Sequence, residues 1–205
     1  MMDNPEQRPF VLPFLSHREY LHGTTLFETL EPLIKGGTAI CLQLRRLIES
    51  NRVSVEKTGS SSSDFTRYDA VITWLPEMAS RTDETAFGIR ALPRREPIVR
   101  EVFDEESLWE RARFLDDVVE YPWEGRVHWV KAIVSLNKAM LTRKFQPASP
   151  GQWLFVRLDI ERCVAPRESL GIRFSHNVGL AAVVSKILVD EADAGRLQFS
   201  WAKRK

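Results

Sequence analysis

The sequence predicts an α+β chain whose second half repeats the strand plan of its first. Three observations carry this. Apolar and polar residues alternate over several short runs in each half, the period of a half-buried strand. A segment with helical spacing precedes each set of runs. The composition is 43% hydrophobic and 28% charged over 205 residues, which suits a packed core and excludes wholesale disorder. This length allows one large domain or two small fused ones. It also buries enough surface to fold without disulfides.

The elements follow in order. Residues Met1 to Pro13 are polar and broken by prolines, an extended arm with a short strand at Phe10-Val11-Leu12. Thr25-Leu26-Phe27-Glu28 fits a capping box, with the Thr hydroxyl and the Glu carboxylate each meeting a backbone N–H. It predicts a helix with Leu26, Phe27 and Leu30 buried, cut short by Pro32. Gly36-Gly37 make a turn. Strands follow over Ala39–Leu47, Arg52–Lys57, Tyr68–Trp74 and Phe87–Ala91. Gly59-Ser60-Ser61-Ser62-Ser63 reads as a flexible connector. Asp104-Glu105-Glu106 starts a further helix, its acidic groups favoured by the dipole, with Leu108, Ala112, Leu115 and Val119 as its stripe. Tyr121-Pro122-Trp123-Glu124-Gly125 breaks it. A longer helix runs from about Val127 to Leu141, with Val130, Ile133, Val134, Asn137, Met140 and Leu141 on one face. After a turn at Gln146–Gly151 come strands over Trp153–Glu161, Leu170–Ser175, Leu180–Val189 and Arg196–Trp201. Asp190–Gly195 is the hairpin link between the last two.

Several function classes find no support. The formal net charge is +1, against the basic excess of nucleic-acid binders. The clusters Pro93-Arg94-Arg95 and Lys203-Arg204-Lys205 read as a solvated loop and tail. The start of the chain has neither a basic n-region nor an apolar h-region, and no stretch matches a membrane span, so a cytoplasmic protein without nucleic-acid or membrane partners is expected. Cys41 and Cys163 are too far apart for a zinc motif or a disulfide scaffold and read as plain thiols. P-loop, dinucleotide, nucleophile-elbow and HExxH motifs are absent, and the four His have no ligand spacing. No cofactor and no metal are expected.

The halves align as patterns. Gly37–Leu47 lies over Gly151–Glu161 without gaps, placing Ile40, Cys41, Leu42 and Leu44 on Leu154, Phe155, Val156 and Leu158. Val53 and Val55 match Leu170 and Ile172. Phe87, Ile89 and Ala91 match Leu197, Phe199 and Trp201. Generic period-2 alternation also produces such a match. The shared order of helix, Gly-led strand, second strand, long third and fourth favours a duplication. In layout, about Ser16 to Lys205 resembles the tandem hotdog proteins of the thioesterase and dehydratase superfamily. This implies two hotdog-like units, each a helix covered by a curved antiparallel sheet, paired as a pseudo-dimer. Residues 1–95 would be the first unit with its arm, and 96–205 the second with an extra leading helix. Two features depart from the plain layout: the helix shortened at Pro32 and the added segment Asp104–Val119.

The chemistry is expected at the helix starts. Tyr20-Leu21-His22-Gly23-Thr24-Thr25 places an imidazole suited to proton transfer just ahead of unsatisfied backbone N–H groups, and Gly23 permits close approach to them. Members of the superfamily polarise a thioester at a helix N-terminus and set a carboxylate or His across from it. The resemblance therefore implies His22 as acid or base, the Gly23, Thr24 and Thr25 amides as oxyanion donors, and Glu124 or Asn137 as the orienting partner. Tyr20 and Gly125 are expected beside the substrate. Each also has a structural reading: a helix-entry turn for His22 and Gly23, dipole chemistry for Glu124, a strand-end partner for Asn137. His128 and Glu28 read as structural, and His17 and His176 as surface residues. The function implied is an acyl-thioester hydrolase or dehydratase. The alternatives are a non-catalytic module holding a small acyl or aromatic ligand, and a structural subunit. Partners are then an acyl thioester or such a ligand, with a homodimer as the expected assembly.

Overall fold

Pro32 and Gly36 set the first landmark. Glu31–Leu33 tightens into a 3-10 turn carrying Pro32, and Gly36 takes φ +81°, so the preceding helix ends and the chain reverses into a strand. In the computed structural model, residues 9–59, 65–76, 84–95, 97–147, 149–163 and 166–203 are described. Most of the serine-rich run, the first eight residues and the last two lie outside them. The chain divides into two units, Met1–Phe103 and Asp104–Lys205.

The first unit contains β1 (Phe10–Val11), β2 (Phe14–Leu15), α1 (Gly23–Leu30), β3 (Thr38–Leu44), β4 (Arg52–Gly59), β5 (Ala70–Leu75), β6 (Thr85–Ala91) and β7 (Arg100–Glu101). Its antiparallel sheet runs β1-β4-β6-β5-β3. β2 and β7 form a separate parallel pair, which ties residues 100–101 to this unit. Leu26, Phe27 and Leu30 of α1 and Ile40, Leu42, Val53, Ile72 and Ile89 of the strands are buried. The strand members alternate as a sheet with one apolar face requires.

The capping box does not form. The N-cap is His22, in extended backbone, so Thr25 lies inside the first turn, where its own N–H bonds the His22 carbonyl at 3.0 Å. A hydroxyl one turn in cannot cap the helix it belongs to.

The second unit contains α2 (Glu105–Glu110), β8 (Arg113–Leu115), β9 (Val118–Pro122), α3 (Trp129–Lys144), β10 (Gly151–Arg162), β11 (Ser169–Val178), β12 (Ala182–Val189) and β13 (Ala192–Lys203). Its sheet runs β8-β9-β11-β12-β13-β10. The start of α2 is as expected: Asp104 caps it by accepting from the Ser107 N–H at 3.1 Å. The helix does not reach Val119. It stops at Glu110, and Arg113–Pro122 forms a hairpin with Asp116-Asp117 in its turn. Val119 and Tyr121 are buried while Glu120 is exposed, so the period of 2 overrides the helical spacing.

α3 is the longest helix. The His128 ring accepts from the Val130 N–H at its start, and Arg143 and Lys144 stand in its last turn, where cations suit the dipole. β12 and β13 join through Asp190 and Glu191, with φ +48° and +68°, a two-residue reversal that obliges neighbouring strands to pair.

The gap-free match of the two Gly-led strands fails by one residue. Ile40 and Leu42 are buried, but the buried set of β10 is Trp153, Phe155, Leu158 and Ile160. A bulge between Phe155 and Arg157 changes the phase partway along β10. A one-residue slip exchanges the two faces of a strand. The third and fourth strands also trade places in the two sheets. β13 borders the Gly-led β10, whereas β5 borders the Gly-led β3.

Candidate functional site

In the first unit the expected residues gather at the start of α1. Leu21 bridges to Ile48, with its N–H bonding the Ile48 carbonyl at 2.7 Å, and this fixes the chain where it enters the helix. His22 is only 8% exposed. Its Nδ1 lies 2.7 Å from Thr24 Oγ1, so the hydroxyl orients the ring. The Tyr20 ring stands beside it, with centroids 6.3 Å apart. Gly23, Thr24 and Thr25 are all buried. The first N–H groups of any helix lack intrahelical acceptors, so this end presents donors in a dry setting. The Thr25 hydroxyl is buried without a hydrogen-bond partner among the described residues. An imidazole, oriented by a hydroxyl beside helix-end amides, is able to move a proton next to a polarised oxygen.

Arg100 holds the segment leading into this turn. Its guanidinium donates to the carbonyls of Ser16 and Arg18 at 3.0 and 2.8 Å and to Glu19 at 3.0 Å. Ser16 sits at φ +52°, and its hydroxyl exchanges hydrogen bonds with the Phe103 backbone.

In the second unit the expected residues occupy two different settings. Glu124 lies in the turn after β9, and Gly125 follows it at φ +69°. The Glu124 carboxylate pairs with Arg111 and with Arg126, the latter at 2.9 Å. Two guanidinium groups therefore engage it at a partly exposed turn. Asn137 is 0% exposed, midway along α3, and neither its amide nitrogen nor its amide oxygen finds a partner among the described residues. An amide buried this way leaves one acceptor and two donors unmet, at a cost of about 1–3 kcal/mol for each unmet group.

The sequence reading passed over Ser185. It is fully buried, and its hydroxyl also lacks a partner among the described residues. Its signal was present: Val183, Ser185, Ile187 and Val189 share the core phase of β12, and Ser185 is the one polar member. The indole N–H groups of Trp153 and Trp201, an edge-to-face pair, also lack a hydrogen-bond partner among the described residues. A cavity of about 580 Å³ opens in the same unit, lined by Phe114, Leu115, Asp116, Asp117, Met140, Arg143 and Lys144. Met140 stands one turn beyond Asn137 on α3, at the i+3 spacing that puts two side chains on one face.

His17 and His176 are exposed, as surface residues should be. Among the described residues no group of three His, Cys, Asp or Glu side chains could hold a metal ion, and no helix is long and apolar enough to cross a membrane.

No family model matches the chain, and no curated protein matches it. Solved structures do. A TesB protein from Mycobacterium avium subspecies paratuberculosis is 11% identical, with 98% of this chain and 95% of that chain covered at a TM-score of 0.49. An acyl-ACP thioesterase from Bacteroides thetaiotaomicron is 9% identical, with 96% and 97% covered at 0.49. The dehydratase domain of PpsC from Mycobacterium tuberculosis, in complex with C12:1-CoA, is 10% identical, with 89% and 85% covered at 0.48.

Proposed function

We propose that the chain is built of two hotdog-like units and binds an acyl thioester, with hydrolysis or dehydration as its chemistry. One observation carries this reading: Asn137, fully buried on the long helix with no partner for its amide among the described residues. A protein retains such a group against its cost when something else satisfies it. A thioester carbonyl accepts from the amide NH2, and the cavity that Met140 lines one turn further along α3, with Phe114 and Leu115, offers apolar surface to an acyl chain beside the Lys144–Asp117 ion pair. Its volume is that of a small-molecule site.

In the first unit His22 is the acid or base, oriented by Thr24, and the Gly23 and Thr24 amides that open α1 are the oxyanion donors; the Thr25 N–H, expected as a third, is taken by the His22 carbonyl. Within the second unit, Asn137 is preferred to Glu124 as the residue that meets a ligand, because Glu124 is already engaged by Arg111 and Arg126. The same pairing favours one alternative, a binding module that holds the ligand without turning it over, since it ties up a carboxylate that catalysis would use.

A panel of acyl-CoA thioesters of graded chain length, assayed for binding by calorimetry and for thiol release, tests both readings. Asn137→Leu should weaken binding about tenfold or more while leaving the fold at least as stable, because an unmet buried amide is replaced by a hydrocarbon of similar size. His22→Ala should leave binding in place and lower turnover by about 10²–10⁴. Binding without thiol release or dehydration by the unmodified chain selects the module. No binding of any thioester sinks the proposal.

A further inference from the structure

The outer face of the second sheet carries a charge arrangement that folding alone does not favour. Arg173 of β11 stands directly opposite Lys186 of β12, and Lys186 stands directly opposite Arg196 of β13. Like charges directly opposite on one face cost stability. Lys186 is compensated by Asp193 at 3.0 Å. The guanidinium groups of Arg173 and Arg196 have no ion pair among the described residues. Asp159 is the register partner of Arg196, but its carboxylate is taken up by Arg157, which donates from Nε and a terminal nitrogen at 2.8–3.0 Å.

Of these residues Arg157, Asp159 and Arg196 line a depression of about 180 Å³, together with His176, Val184, Leu197 and Gln198. The next row of the sheet supplies the other side: His176 opposite Val184, Val184 opposite Gln198, and Gln198 opposite Arg157. Its lining offers two guanidinium groups, an imidazole and a carboxamide, and its one carboxylate, Asp159, is taken up by Arg157. Asp159 holds Arg157 in a fixed plane, so one wall is preorganised.

We propose that this depression binds a phosphate group, with Arg196 as its principal anchor. A fork-shaped guanidinium with no internal partner matches a phosphate oxygen pair, and a neighbouring carboxamide and imidazole supply further donors. The concave shape and small volume fit a single phosphoryl or diphosphoryl group better than a protein surface. The site lies on the outer face of the sheet, opposite to the phase of Phe155, Leu158, Ile187, Leu197 and Phe199 that forms the core. It is independent of the thioester reading.

Calorimetric titration of the full chain with inorganic phosphate and with ADP, at constant ionic strength, tests it. Saturable binding is expected, weakened about tenfold to a hundredfold by Arg196→Gln and unchanged by Arg113→Gln, a surface cation paired with Glu120 away from the depression. Arg196→Lys keeps the charge and loses the fork, so it should fall between the two. Tighter binding of ADP than of phosphate identifies an ester of a larger ligand; equal binding identifies the free ion. Without ligand, Arg196→Gln should melt no lower than the unmodified chain, because it removes one of the opposed charges. Absence of saturable binding, equal weakening by Arg113→Gln and Arg196→Gln, or a lower melting temperature for unliganded Arg196→Gln would overturn the proposal.

Discussion

The first unit packs one α-helix with an antiparallel sheet and the second packs two, the short α2 and the long α3, yet the larger difference is in their strand orders. In the second unit β11, β12 and β13 are neighbours in the order in which they are made. The links between them span residues 179–181 and 190–191, too short to let the chain skip a place. In the first unit the links span 60–69 and 76–84. There β4 is followed in space by β6, and β5 goes beyond it to border β3. Short hairpins dictate strand order by geometry; longer links leave it to side chains.

The side chains that decide it are identifiable. Asp69, just ahead of β5, accepts at its carbonyl from the N–H groups of Arg45 and Arg46, donates its own N–H to Ile89, and accepts from the Ala91 N–H through its carboxylate. One residue thus ties the start of β5 to the end of β3 on one side and to β6 on the other. Tyr68 beside it is fully buried and lies against Gly88, where any side chain would overlap its ring. Its hydroxyl donates to Glu56 and accepts from Arg67.

This contrast breaks most sharply at two glycines. Gly195 lies in the first part of β13, the strand that completes the second unit's meander, at φ +150°, and a methyl group there would collide with the Asp159 carbonyl oxygen and crowd Ile160. Backbone cannot move aside as a side chain does. Gly195→Ala should cost about 3 kcal/mol or more, the sum of a strained φ and an overpacked strand pair. Urea denaturation followed by tryptophan fluorescence measures it. A loss under about 1 kcal/mol would mean that close approach does not hold β13 to β10.

Gly88→Ala strikes the first unit more gently, because its obstacle is a ring rather than backbone. A loss of about 2 kcal/mol is expected. The informative measurement is the cycle with Tyr68→Leu: on that background the same alanine should cost little, since the ring it met is gone. Additive losses would show that Gly88 matters for its backbone alone, and Tyr68 would lose its part in ordering the sheet.

The same contrast explains what could be read from the residues. Local signals were legible: the helix shortened at Pro32, the long apolar stripe around Asn137, and the alternation of the longer strands, though not β2, β7, β8 or β9. Phase and order were not. Leu154 and Val156 are apolar on the outward phase of β10 before its bulge, so alternation there is blurred and the extra residue leaves no mark. Leu108, Ala112, Leu115 and Val119 fit a helical stripe, and only the turn at Asp116-Asp117 betrays the hairpin. The position of β5 depends on Asp69 meeting residues twenty or more places away in sequence. The site was legible where a residue contradicts its surroundings, as Asn137 does. Ser185 offers the same contradiction on β12 and was passed over because one serine in a strand is common.

The smallest expected effect concerns the hairpin that fixes the second unit's order. Asp190 takes φ +48°, and its carboxylate accepts from the N–H groups of Ser169, Glu168 and Arg167 at 3.0, 2.8 and 3.1 Å. These backbone donors, Ser169 foremost, then Glu168 and Arg167, hold its carboxyl below the ordinary carboxylate value. A depressed folded-state pKa means the unfolded chain binds the proton first. The stabilisation is therefore complete above the ordinary carboxylate range and fades as pH falls through the lowered value. Asn tolerates positive φ and keeps one acceptor oxygen, so Asp190→Asn isolates the charge from the turn. Melting temperatures from neutral pH into acid should fall less steeply for Asp190→Asn than for the unmodified chain, with the two curves converging at the acid end. Parallel curves would show that the turn, and not the charge on Asp190, carries the order of β12 and β13.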